Sequence, residues 1–463
     1  MTAAAKPDGK RRVGRPRVLE GGGASLATVL NLVRAEKATT RLEIERQAEL
    51  GRAVVAERLA ILAKLGLVAE GDLGPAIGGR APRRMRFVPE AGVVLVGVLD
   101  PSYLGVALAD LSGRLAVEHH EPIESSSAAD EVLERLTTLF IWLLDERGGK
   151  ESVWGLGLAL PEPLAVDPRD HSAAEASLGR SREWRDYDFA DELSLRFAAP
   201  CWTRSSTQMM TLGELEAGAG RGVSDLLFVK LDRSISAGIV SNGSLHRGAQ
   251  GLAGLIGHSP TGELGGFTCH CGSKGCLEVI AGGDALARDG AIAAQEGRSR
   301  YLADMWGRNG EITFNDIGHG AQLGDAYCAE ALARCGRFVG ESLAPLVNLL
   351  NPASVILGGV GALSGEILLA SVREAVYRQS HPRATRDLRI TRSQLGGAAG
   401  LIGAARVVLD EAFAPANAAG WVGLGSPRLQ PSFLQSLEEL RAQRRSKTRR
   451  ASPPTAAATR VSN

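Results

Sequence analysis

Three of the six cysteines fall within eight residues, in the run Cys269-His270-Cys271-Gly272-Ser273-Lys274-Gly275-Cys276-Leu277-Glu278, and His258 stands eleven residues ahead of the first of them. Thiolates at i, i+2 and i+7 with one imidazole supply three sulfurs and a nitrogen. That donor set closes a tetrahedral structural Zn²⁺ and leaves no coordination position open for chemistry. A segment of this kind folds around its ion, so this run constrains the chain more than any other. Gly272 and Gly275 flank a Ser-Lys turn, which lets the chain double back and bring Cys276 toward Cys269 and Cys271. His270 is a rival nitrogen ligand, and the plain alternative is three buried free thiols. Cys201, Cys328 and Cys335 lie apart and show no disulfide framework, as expected in a reducing compartment.

The 463 residues suffice for two or three domains. No apolar run approaches the roughly 20 residues of a membrane span, and the first residues lack a signal-peptide core, so the expected location is cytoplasmic with no membrane partner. The net charge of +1 hides a division. Residues 1–90 carry 17 Lys and Arg against 10 Asp and Glu, a net +7, and residues 414–463 carry 8 against 2, a net +6, leaving −12 on the middle. Basic ends on an acidic body place any polyanion-binding surface at the ends.

Residues 1–23 read as a disordered basic arm, whose Gly14-Arg15-Pro16 core, flanked by arginines, suits an A·T-rich minor groove. From residue 24 the spacing becomes helical. Leu26, Val29, Leu30 and Val33 form one apolar stripe, Ile44, Ala48 and Leu50 a second, and Val54, Val55, Leu59, Leu62 and Leu65 a third that stops at Gly66. Three short helices, then Leu67-Val68, a Gly/Pro-rich turn and Met85-Arg86-Phe87-Val88 predict a winged helix-turn-helix over 24–90. Its third helix would enter the major groove with Arg52, Val54 and Ala56 near base edges, and its turn would bring Arg80, Arg83 and Arg84 to phosphates. Beyond Pro89, apolar runs at 93–99, 105–111, 153–160, 226–231, 238–240 and 355–357 alternate with helical stretches such as 129–144, the pattern of a two-lobed α/β body. Residues 414–463 read as a disordered basic tail, with one short helix over 433–440.

Taken together, residues 24–413 resemble the ROK family (repressor, open reading frame, kinase), whose members are two-lobed sugar kinases or winged-helix repressors built on the same scaffold. The family's zinc pattern is Glu-x-Gly-His followed by Cys-x-Cys-Gly-x-x-Gly-Cys-x-Glu, and the cysteine half is complete here. In that pattern His258, rather than His270, is the fourth ligand. Trp184 to Arg196, Leu212-Gly213-Glu214, and Asn348-Leu349-Leu350-Asn351-Pro352 running into Leu357-Gly358-Gly359 also match. The resemblance implies an actin-like (ribonuclease H-like) ATPase fold preceded by the all-α winged helix. The first lobe would span 91–206, completed by 395–413, and the second 207–394 with the zinc loop.

The departures fall where phosphoryl transfer needs its residues. The family kinases open the body with Asp-x-Gly-x-Thr, whereas the aligned run here is Val98-Leu99-Asp100-Pro101-Ser102, without the leading acid or the glycine, and with a proline that has no amide to donate. The second phosphate loop, Gly-Thr-Gly-x-Gly in the kinases, reads Asp232-Arg233-Ser234-Ile235-Ser236, where an aspartate would repel a triphosphate. Ser206 stands at the position of the general base and cannot accept a proton without a base of its own. Leu255 replaces the glutamate that holds sugar hydroxyls, and Pro161-Glu162 replaces Pro-Gly. His258 and Glu278 remain at positions that contact sugar in the family, and Glu278 could equally serve only to orient the zinc loop.

The resemblance and its departures imply a DNA-binding regulator, a repressor, with structural zinc and no kinase activity. It would act as a homodimer or homotetramer on a double-stranded operator, with a sugar or sugar derivative as effector. The alternative is a ROK-type sugar kinase with an unusual site.

Overall fold

The computed structural model describes residues 22–73, 83–100, 103–123, 127–149, 152–161, 184, 187–262 and 267–451. The expected basic arm up to residue 21, Arg80, Pro101, Ser102, Glu162 and the last twelve residues of the expected tail lie outside them. The chain divides into two compact units, one of Met1–Val88 with Phe413–Leu429 and one of Pro89–Ala412 with Gln430–Asn463.

In the first unit, α1 (Gly22–Arg34) buries Leu26, Val29, Leu30 and Val33. The helix α2 (Arg41–Ala48) is started by a capping box: the Thr40 hydroxyl accepts from the Glu43 amide at 3.3 Å, and the Glu43 carboxylate accepts from the Thr40 amide at 2.8 Å. Glu49 in the left-handed region ends it, and Gly51 opens α3 (Arg52–Lys64), which buries Val55, Leu59 and Leu62. Strands β1 (Val68–Leu73) and β2 (Arg83–Phe87) pair antiparallel, and the Met85 amide ties the hairpin to the Thr39 carbonyl at 2.6 Å. This is the element order of a winged helix-turn-helix.

The second unit opens with β3 (Val93–Asp100), β4 (Tyr103–Asp110) and β5 (Leu115–Pro122), then α4 (Ala129–Glu146), β6 (Val153–Leu160), α5 (Phe189–Phe197), β7 (Cys201–Ser205) and α6 (Ser206–Ala217). It continues with β8 (Leu226–Leu231), β9 (Ile235–Ser241) and β10 (Ser244–His246), then α7 (Leu277–Ala281), α8 (Gly283–Gln295), α9 (Arg300–Asn309), α10 (Phe314–Gln322) and α11 (Ala326–Leu350). After these come β11 (Ser354–Gly358), α12 (Glu366–Gln379), α13 (Pro382–Thr385), β12 (Arg389–Arg392) and α14 (Ala398–Phe413).

The two sheets share one topology. In the order β5-β4-β3-β6-β7, an antiparallel meander is extended by two strands parallel to β3; in the order β10-β9-β8-β11-β12, the same arrangement is built around β8. The fold is therefore the two-lobed, actin-like α/β class expected, with the winged-helix elements ahead of it. Central strands β3, β6, β8 and β11 are buried along their whole length, which is why they read as largely apolar runs. Helix α14 lies so close to β6 that a Cβ at Gly157 would sit 2.7 Å from the Ala404 carbonyl oxygen.

The expectation of a disordered tail is corrected over 415–451. Helix α15 (Pro415–Trp421) returns to α1, with Trp421, Val422 and Ala418 fully buried, and α16 (Pro431–Ala451) anchors through Leu437 and an Arg444–Glu192 ion pair of 3.3 Å. A few large apolar side chains order a segment whose average composition is polar.

Candidate functional site

Positive-φ residues Gly272 (87°) and Gly275 (73°) shape the loop that carries the thiols. The Cys269 amide donates to the Ser273 carbonyl at 2.8 Å, the Gly272 amide to the Cys269 carbonyl at 2.8 Å, and Leu277 opens α7 directly behind Cys276. The result brings one donor atom each from His258, Cys269, Cys271 and Cys276 within 4.8 Å of one another. Zn–S bonds of about 2.3 Å and Zn–N bonds of about 2.0 Å require tetrahedral edges of roughly 3.75 Å between sulfurs and roughly 3.5 Å between sulfur and nitrogen. The Cys271–Cys276 sulfurs lie 3.7 Å apart, and Cys269 Sγ lies 3.5 Å from His258 Nδ1. The donors therefore fit a tetrahedral ion.

Burial pushes the His258 imidazole down, keeping it a neutral donor, whereas burial and thiol crowding push Cys276 up to about 12. A divalent cation among them would reverse the second effect. His270 pairs with Glu278: its Nδ1 lies 3.2 Å from Glu278 Oε1 and its ring is edge-on to His258 at 5.0 Å, and donor atoms of His258, His270 and Glu278 also lie within 4.8 Å of one another. Glu278 Oε2 also accepts from the Ile235 amide at 3.4 Å, so this carboxylate holds the loop against β9. Leu255 is 41% exposed.

Of the residues that the resemblance sets at kinase positions, Val98 is fully buried in β3 and carries no charge. Ser206 is buried at the start of α6, where its Oγ accepts from Lys230 Nζ at 2.9 Å. Asp232 also faces Lys230, at 3.4 Å, and its Oδ1 accepts from the Val360 amide at 2.7 Å; burial pushes its carboxyl up against the pull of that ammonium. Asp232 is thus matched by Lys230 rather than standing alone. Sequence reasoning missed Lys230, although a lysine inside the apolar run Leu226–Leu231 was the available signal.

In the first unit, Arg52 and Ala56 are exposed on the first turns of α3 while Val54 is half-buried, which places Val54 between the core and the outer face. Arg58 is turned inward to the Ser25 hydroxyl at 2.9 Å. On the hairpin Arg83 pairs with Glu70 at 2.8 Å, and Arg84 is exposed.

The ROK family pattern matches residues 102–411, and the chain belongs to this family. It is 30% identical to a glucokinase of Halalkalibacterium halodurans over 281 residues, covering 60% of this chain and 84% of the relative. It is 26% identical to a xylose repressor of Caldicellulosiruptor bescii over 389 residues, 83% of this chain and 94% of the relative. The crystal structure of a ROK family transcriptional regulator, a homolog of the E. coli MLC protein, superposes with a TM-score of 0.69 at 23% identity, covering 87% of this chain and 99% of that one. Among the described residues, no helix is long and apolar enough to cross a membrane.

Proposed function

We propose that this protein is a DNA-binding transcriptional regulator, a sugar-responsive repressor, and that it does not phosphorylate sugar. The carrying observation is the N-terminal unit, whose α3 turns Arg52 and Ala56 to solvent beside a basic hairpin. The similarity to a named repressor extends over 83% of the chain, against 60% for the glucokinase. Phosphate contacts from Arg84 and the hairpin position the unit, and Arg52 reads base edges in the major groove. Two copies on a two-fold axis read a pseudo-palindromic operator in the cytoplasm, and a sugar shifts operator affinity to the extent that it binds one state better.

His258, Cys269, Cys271 and Cys276 hold zinc, which supplies folding free energy to the loop that carries His258 and Glu278. Those two residues are the sugar contacts in this reading.

Selection of bound duplexes from fragmented genomic DNA tests the proposal. Recovery of one inverted repeat at physiological salt supports it, and equal retention of all sequences refutes it. The glucokinase relative favours a second reading, sugar phosphorylation. Coupled ATP-consumption assays across a hexose and amino-sugar panel decide that one: the regulator reading expects no turnover.

A further inference from the structure

Lys230 lies in β8, in a strand whose six residues are all buried, and its side chain is 6% exposed. Its ammonium meets oxygens of residues drawn from separate elements. Asp100 Oδ2, at the end of β3 in the first sheet, lies 3.3 Å away; Asp232 Oδ2, just past β8 in the second sheet, lies 3.4 Å away; and Ser206 Oγ, at the start of α6, lies 2.9 Å away. Both carboxylates are largely withdrawn from water, with side-chain exposures of 10% and 16%. Asp232 is further fixed through its other oxygen by the Val360 amide.

Two carboxylates and a hydroxyl converging on one point are hard oxygen donors, the kind that a small divalent cation takes with added water and phosphate oxygens. Here a covalently attached ammonium already stands at that point. A lysine is a compact point charge with three donors, and these three acceptors match it. Charges this deeply buried are tolerated only when paired, so removing the ammonium would leave two carboxylates repelling each other across the sheets.

We propose that Lys230 is the resident cation between the two sheets: it joins the first to the second through Asp100 and Asp232 and thereby decides that this point admits no metal-bound nucleotide. The residue is a specificity determinant acting by occupation and charge. This goes beyond the DNA-binding reading and does not rest on it, since a chain that ignored every operator could still carry this lock.

The test uses full-length protein and four forms: wild type, Lys230→Met, Asp232→Asn with Lys230→Met, and Asp100→Asn with Asp232→Asn and Lys230→Met. Melting is followed in divalent-free buffer and in millimolar Mn²⁺, with bound manganese counted after gel filtration. The thiolate-rich cluster is too soft a site to retain Mn²⁺, and any manganese held by His258, His270 and Glu278 is present equally in wild type, whose count is subtracted. Wild type is expected to melt at the same temperature with and without Mn²⁺. Lys230→Met is expected to melt lower, to regain about 2 °C or more on adding Mn²⁺, and to retain the ion, because cation binding to the folded form alone raises melting. Asp232→Asn in that background should abolish the manganese response.

If Lys230→Met does not fold, the triple variant decides, since it leaves none of the three facing charges. Recovery of folding supports the lock, and failure equal to that of Lys230→Met shows that Lys230 acts through packing and overturns it. Wild type that retains as much Mn²⁺ as Lys230→Met, or a Lys230→Met protein that melts like wild type without a manganese response, also overturns it.

Discussion

The guanidinium of Arg34 lies 4.2 Å from the ring centroid of Phe413, a residue 379 positions later in the chain. The Phe413 carbonyl accepts from Asn31 Nδ2 at 2.9 Å, and its ring meets Phe87 and Trp421 edge-on at 5.8 and 5.5 Å. The winged-helix unit is thus completed by the segment that begins at Phe413, the last residue of α14, and its core includes aromatic side chains from both ends of the sequence. Trp421→Ala should destabilise this unit by about 3–5 kcal/mol, the range for large buried aromatics. Urea unfolding followed by circular dichroism should show an early transition in the variant; an unchanged profile would remove Trp421 from the core.

Cys271→Ser should lower zinc content and melting temperature together. Loss of a direct ligand is expected to weaken metal affinity by more than the roughly 10–100-fold caused by losing an outer hydrogen-bond partner. Metal analysis of the purified variant, with Cys201→Ser as the control outside the cluster, checks this. Wild type that contains no zinc and melts unchanged after chelation would dismiss the metal centre.

Arg52→Ala should cost about 1–3 kcal/mol in operator binding and relax preference at one base position. Arg84→Ala should instead weaken binding evenly across sequences and reduce the salt slope by about one unit. Arg83 already pairs with Glu70, so its removal is expected to matter less. Binding isotherms at several salt concentrations separate the cases, and an Arg52→Ala protein selecting the same sites with the same affinity would refute the recognition-helix assignment.

Glu121 gives a pH signature. The Arg135 guanidinium, bonded to both carboxylate oxygens at 2.6 Å, holds its pKa down to about 2 from an ordinary 4.5. Because the folded value lies below the unfolded one, the pair contributes stability at pH above about 4.5 and loses it as pH falls toward 2. Glu121→Gln should therefore narrow the stability difference from wild type progressively across that window. A difference that stays constant from pH 6 to pH 3 would contradict the assignment.

Much of the candidate site was legible because its parts are local. The Cys269–Cys276 run sits in one loop, so spacing alone expresses its geometry, and only the partner at His258 needed a wider view. The α3 stripe was legible for the same reason, although Val54 could not be placed on the inner or outer face from periodicity near a helix start. The tail was misread because a few apolar side chains, Ala418, Trp421, Val422 and Leu437, carry its burial while the surrounding composition stays polar. Lys230 was passed over because its charge breaks the apolar pattern of β8, and nothing in the neighbouring residues names a partner on β3.

The sequence by itself marked the candidate metal-ligand set, the three helical stripes and hairpin of the N-terminal unit, and the apolar strands β3, β4, β6, β8, β9 and β11, since each is written in residue type and short-range spacing. Only the tertiary structure decided that Lys230 meets Asp100 from 130 residues away and that Phe413 closes the unit begun by α1. Spacing encodes backbone conformation and which face is apolar. Which distant faces meet is set by the packing of whole elements, where burial of one side chain or one ion pair outweighs the average character of the segment that carries it.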